Sequence, residues 1–440
     1  MMNRPKTSRF IALAAASALT LGLAACGQDG GDEGGDWGDG NASGKVTLTW
    51  WHNGTAEPSL SYYQSVADAF TADHPDVTIE VTPIQNEDLQ TKIIAALQGG
   101  DAPDIFAQWG GQEGTDQFNA GQVLDITQSS AAAIEAMGAA VDGWTTPEGN
   151  VYGLPFTMGI GGVYYNVDLF QQAGISQPPS TMEELADAVG KLKAIGVAPV
   201  ALGGVDEWPA AHGWYWLSLR ECTKDPRDHA AVTKDFSDEC FVKAGEDLAA
   251  FAATSPFQEG FMSASAQQGA QSSAGLLANG QAAMELMGVW EPAVLKGLTD
   301  SGELDFELGW FSFPAVAGGK GDPKAAMGGG DGFSCWSKTE APEVCSEFLS
   351  FIVNVDNQVA FAQTGIGVPV TPGGEAGLAD EVLKTVAENT AAAPYVELWL
   401  DKLFGNNVGG ALNTAVTEML GGANTPAGIV QSLKDAAELE

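Results

Sequence analysis

From Val46 onward the chain alternates short apolar stretches with amphipathic ones, and this alternation constrains the fold more than any other feature. Val46, Leu48 and Trp50 interleave with Thr47, Thr49 and Trp51, the period of two that marks a strand. His52-Asn53-Gly54-Thr55 breaks it. Tyr62 to Ala72 places Tyr62, Val66, Ala69 and Phe70 on one face of a helix that ends before His74-Pro75. Val77, Ile79 and Val81 form a second strand. Asp88 to Gln98 is an amphipathic helix through Leu89, Ile93, Ile94 and Leu97, stopped by Gly99-Gly100. Ile105-Phe106-Ala107 is a third, short buried strand. Strand, helix, strand, helix, strand predicts an α/β sheet with crossover helices. Ligands of such sheets sit at the carboxyl ends of the strands, which here carry the polar, aromatic loops WHNGT (51–55) and QWGGQE (108–113).

The chain has 440 residues, too many for one ordinary core, which predicts two lobes. Residues 1–25 stand apart from that body. Arg4, Lys6 and Arg9 form a basic start, and Phe10 to Ala25 is apolar but short for a membrane span, the pattern of a secretory signal peptide. Leu23-Ala24-Ala25-Cys26-Gly27 is similar to the bacterial lipobox. That resemblance implies that Cys26 becomes a lipidated N-terminus, anchoring the protein to the outer face of the cell membrane. Residues 26–44 then comprise this Cys and a flexible Gly/Asp tether. The other cysteines form two local pairs, Cys222 with Cys240 and Cys335 with Cys345. An oxidising exterior favours disulfides, and these pairings are expected among the three connectivities that four cysteines allow. Without CxxC spacing, no metal and no cofactor is expected. The formal net charge of −38 argues against nucleic acid and anionic ligands, and leaves neutral or cationic ones.

Further motifs follow along the chain. Ala95 to Ile105 reads AALQGGDAPDI. Val151-Tyr152-Gly153-Leu154-Pro155 precedes Tyr164-Tyr165-Asn166-Val167-Asp168-Leu169-Phe170 and Ala173-Gly174. Pro179-Ser180-Thr181-Met182-Glu183-Glu184-Leu185 opens a helix with a doubled capping-box signal. Asn279-Gly280-Gln281-Ala282-Ala283-Met284 leads to Gly288-Val289-Trp290, and Gly328 to Gly332 and Gly367-Val368-Pro369 complete the series. In this order and spacing the segments resemble family 1 extracellular solute-binding proteins, the sugar-binding receptors of ABC importers. Met182 departs from the Trp usual in that helix start. TWWHNGT and WGGQ look closest to oligosaccharide receptors of the xylobiose or raffinose type. The resemblance implies a two-lobed α/β clamp of the periplasmic-binding-protein type II, a monomer, working with the membrane subunits of an importer and touching the membrane only through its lipid. Residues 45–157 and 328–371 would form one lobe, and 158–327 and 372–440 the other. Crossovers are expected near 154–158, 326–328 and 370–372, where Gly and Pro suit hinge segments.

A sugar presents apolar C–H faces and a rim of hydroxyls. Flat aromatic rings suit the faces, and carboxylates and amides suit the rim. Trp109, Trp214, Trp216 and Trp290 are the stacking candidates among 12 Trp, each at a loop or helix start, and Trp399 is a further one. Strand alternation puts Trp50 in the core and leaves Trp51 or His52 for the cleft. His52, Asn53, Gln112, Glu113, Glu291 and Asp331 are the hydroxyl partners. Asp331 follows three glycines, where backbone approaches a ligand closely or simply turns. No Walker A loop, HExxH or GxSxG is present, so no enzyme is expected. A glycosidase needs two carboxylates roughly 5–10 Å apart, which a chain with 57 acidic residues leaves open. A receptor for a non-sugar neutral or cationic solute is the remaining alternative.

Overall fold

The structure, a computed structural model, describes residues 45–439. The signal peptide, Cys26 and the tether lie outside the described residues. The strands are β1 (Val46–His52), β2 (Val77–Pro83), β3 (Ile105–Gln108), β4 (Leu154–Pro155), β5 (Gly159–Ile160), β6 (Gly162–Asn166), β7 (Ala198–Ala201), β8 (Ala282–Met287), β9 (Leu308–Phe311), β10 (Ala326–Gly329), β11 (Gly332–Cys335) and β12 (Val396–Leu398). They build a five-stranded sheet of order β2-β1-β3-β11-β4, a four-stranded sheet β7-β8-β6-β9 and a small sheet β12-β10-β5. β1 runs parallel to β2 and β3, as the βαβ reading predicts, while β11 returns antiparallel against β3 and β4.

Each large sheet carries its own core. Around the first, Trp50, Phe70, Phe106, Tyr152 and Phe348 pack together. Around the second, Tyr164, Trp214, Tyr215, Trp216 and Leu412 form a larger cluster, with Val163, Phe170, Leu185 and Met284 in a separate cluster. The fold is therefore a two-lobed α/β clamp. Local signals set many element ends. Asn166 caps the helix Val167–Gln172 by accepting from the Leu169 amide at 2.9 Å. At Met182–Ala194 the capping box is split: Thr181 is the cap, and Glu184 reaches back 2.7 Å to accept from the Ser180 amide.

The passages between lobes lie side by side. The Phe156 and Thr157 amides donate to the Asp331 carbonyl at 2.8 and 3.1 Å, and the Met158 amide donates to Val368 at 3.1 Å. Residues 326–328, expected at a crossover, belong to β10, and the chain passes to β11 just beyond them at Gly330-Asp331. A Cβ on Gly330 would lie 1.8 Å from the Thr157 carbonyl oxygen, so only glycine permits this close approach. Both disulfides form, Cys222–Cys240 between the helices Trp208–Glu221 and Glu239–Ala253, and Cys335–Cys345 between β11 and the helix Pro342–Ile352. Among the described residues no helix is long and apolar enough to cross a membrane.

Candidate functional site

A cavity of about 220 Å³ opens between the two cores. The loops at the carboxyl ends of β1 and β3 bring Asn53 and Trp109 to its first wall, beside Tyr63 and Asp331. The second wall holds Trp208, His212, Trp290 and Trp399, with Asp401 and Lys402 next to them. Three of these indoles stand at helix N-termini: Trp208 begins Trp208–Glu221, Trp290 precedes Glu291–Gly297 and Trp399 precedes Leu400–Leu403. Glycine makes room for two of them. A Cβ on Gly288 would lie 2.2 Å from the Trp290 ring, and one on Gly329 would lie 2.9 Å from that of Trp399. Trp290 meets Trp208 and Trp399 with ring centroids 6.1 Å apart in both pairs. His212 stacks on Trp399 at 4.5 Å.

Polar contacts tie the walls together. Lys402 pairs with Glu113 at 2.9 Å, lies 4.0 Å from Asp401 and sits 5.3 Å over the Trp109 ring. Trp208 Nε1 donates to Glu87 Oε1 at 3.4 Å. Burial pushes the Asp331 carboxyl up to about 6, although the Asn53 and Trp109 side chains and the Lys402 charge oppose the shift. Burial also raises Asp401. At Lys402 burial works against the charge, but Glu113 and Asp401 beside it raise the ammonium pKa on balance. His212 is held neutral by burial, its pKa lowered to about 3. Among the described residues no group of three His, Cys, Asp or Glu is arranged to hold a metal ion.

The structure thus brings Asn53, Trp109, Trp290, Asp331 and Trp399 into one cavity. It places the other sequence candidates elsewhere. His52 is wholly buried on the same strand face as Trp50, since residues two apart share a face, and it packs 4.3 Å from Tyr63. Trp51 lies half-buried against the first core, away from the cavity. Trp214 and Trp216 are fully buried, stacked on Phe241 and Phe313. Their helix is packed on nearly every side, and Trp216 lies two turns, about 12 Å, beyond Trp208. Gln112 donates to Asp116 at 2.7 Å outside the cavity. Glu113 is buried behind the wall, where it anchors Lys402. Glu291 is buried beside Glu285 rather than facing the cavity.

Sequence reasoning missed Tyr63, Trp208, His212, Asp401 and Lys402. Trp208 and His212 carried a signal, because residues four apart on a helix share a face. Asp401 and Lys402 follow directly on Trp399.

Residues 53–359 match the profile of the family described as bacterial extracellular solute-binding protein. The chain belongs to this family. Its members are binding proteins of ABC transporters rather than enzymes. It is 30% identical over 204 residues to the sn-glycerol-3-phosphate-binding periplasmic protein UgpB of Escherichia coli (strain K12), covering 44% of this chain and 43% of that protein. The chain therefore spans under half the length of the curated relatives it matches. Its structure is similar to that of a chitin oligosaccharide binding protein, with a TM-score of 0.81 and 24% identity over 90% of this chain and 98% of that one. A protein from work on xylan utilization by Caldanaerobius polysaccharolyticus superposes with a TM-score of 0.79 and 24% identity over 89% of this chain and 99% of that one. RafE in complex with raffinose gives 0.69 and 18%, over 90% and 99%. These likenesses establish the fold.

Proposed function

We propose that this chain is an extracytoplasmic receptor that captures an oligosaccharide between its lobes and delivers it to the membrane subunits of an ABC importer. One observation carries the reading: indole rings from both lobes face a shared cavity together with Asp331 and Asn53. Rings suit the C–H faces of a pyranose, and the carboxylate and amide suit its hydroxyls. The chitin oligosaccharide binding protein and raffinose-bound RafE among the structural neighbours agree with it.

A glycerol phosphate, the ligand named for the E. coli relative, fits less well. A phosphate monoester needs cationic partners. Lys402 is the one Lys or Arg among the described residues lining the cavity, and Glu113 and Asp401 already engage it. Asp331 and Asp401 would repel the phosphate.

Residues 45–157 with 328–371 act as one half of the clamp and 158–327 with 372–440 as the other. Ligand favours closure because only the closed state makes both sets of contacts. The molecule works as a monomer, held at the membrane by lipid on Cys26. A thermal-shift screen of mono-, di- and trisaccharides, with sn-glycerol 3-phosphate beside them, tests the reading. A sugar at a hundred times its Kd stabilises the folded form by about 2.7 kcal/mol and raises the melting point. A rise with the phosphate ester and none with any sugar would overturn it.

A further inference from the structure

We propose that the sugar taken by this cleft carries a protonated amine, seated against the carboxylates of Asp331 and Asp401. The inference rests on the sugar reading above and narrows it to basic sugars.

The charges on the cavity wall motivate it. Among the described residues its lining holds three carboxylates, Glu57, Asp331 and Asp401, and a single ammonium, Lys402. Lys402 is already spent: Glu113 holds it at 2.9 Å, Asp401 lies at 4.0 Å, and its charge sits over the Trp109 ring. Counting Glu113 behind the wall, the cluster keeps a clear negative excess. Asp331 is the half-buried end of that excess, on the wall facing the indoles. Its nearest side-chain donors, Asn53 and Trp109, are neutral, and Lys402 opposes its raised pKa only in part. A carboxylate that burial destabilises gains most from a cation arriving with the ligand.

The opposite wall has the same preference. Trp208, Trp290 and Trp399 bring three indoles together, and indole faces attract cations. His212, stacked on Trp399, is neutral and adds no repulsion, and its Nδ1 has no hydrogen-bond partner among the described residues. A neutral hydroxyl would hydrogen-bond to Asp331 but leave its charge uncompensated. An ammonium at the same carbon supplies up to three N–H donors and the missing charge. The chain's net charge of −38 adds a field that draws cations toward it.

The test compares sugars that differ only by amine for hydroxyl: glucosamine with glucose, galactosamine with galactose, and the β-1,4 disaccharide of glucosamine with cellobiose. Affinities are measured by calorimetry on the full mature domain at low and high NaCl. We expect the amine member of at least one pair to bind ten times tighter or more at low salt. Salt should shrink the advantage, and Asp331→Asn should reduce it to about twofold or less. If Asp331→Asn fails to fold, Asp401→Asn is read instead. Equal or tighter binding of the neutral member overturns the proposal while leaving a sugar receptor. A tenfold advantage that survives both salt and substitution also overturns it. If no member of any pair binds, the sugar reading itself falls.

Discussion

Two imidazoles are held uncharged inside this protein. His52 lies under Tyr63, accepting from the Gly54 amide at 3.1 Å, and His212 lies against Trp399. Burial lowers both from 6.5 to about 3. The unfolded chain therefore binds more protons than the folded one between those limits. Their contribution to stability is complete above pH 6.5 and is lost as the pH falls toward 3. His52→Asn keeps an acceptor for Gly54 and should flatten the fall in melting temperature across that window; an unchanged slope would count against this account. At the cavity, Trp290→Ala removes a ring that meets both other indoles of its wall. We expect sugar affinity to drop about tenfold or more, roughly 1.4 kcal/mol, with circular dichroism unchanged. Trp214→Phe, deep in the core, should instead lower stability and leave affinity near its starting value.

At the scale of elements, β8 and the helix that follows it carry a pair of buried carboxyls. Glu285 and Glu291 lie within hydrogen-bonding reach of each other, and both are almost fully shielded from water. Tyr164 on β6, opposite Glu285 in register, places its hydroxyl near Glu291. Burial and the neighbouring carboxyl both favour retention of a shared proton. The folded state thus binds protons that the unfolded state has released. The stability this supplies is present below about 4.5 and declines as the pH rises through the raised folded values. Glu291→Gln keeps a donor and removes the repulsion, so it should raise the melting temperature at pH 8 and weaken the alkaline decline. The disulfides act on the same scale. Cys222–Cys240 closes a loop with a sequence separation of 18, so replacing both by Ser should cost about 3 kcal/mol, read by denaturant titration.

Over the whole molecule, the contacts that bridge the cleft bear on its closure. Glu113 and Lys402 join the helix after β3 to the segment after β12, and both side chains are largely buried. Removing one partner strands the other's charge, which costs about 3–5 kcal/mol for a buried pair. Glu113→Gln should therefore weaken the closed form, and small-angle scattering of the ligand-free protein should give a larger radius of gyration. Saturating sugar should reverse the expansion. A scattering profile unaffected by both the substitution and a bound sugar would mean that the lobes do not move as a clamp.

Short-range pattern by itself determined the alternation of strands and helices, the parallel start of the first sheet and the placing of Trp50 inside. Those features depend on which residues share a face, and periods of 2 and 3.6 state that directly. The capping at Thr181 and the two disulfides between residues close in sequence belong with them. The tertiary structure alone decided which indoles meet across the gap. Trp208, Trp214 and Trp216 occupy one helix with similar local surroundings. The first opens on the cavity because it stands at the helix end, and the others are covered by elements distant in sequence. His52, Glu113 and Glu291 look like surface polar residues in their own segments, yet Tyr63, Lys402 and Glu285 enclose them. Whether a side chain meets solvent depends on what packs on it from elsewhere in the chain, and no local period encodes that.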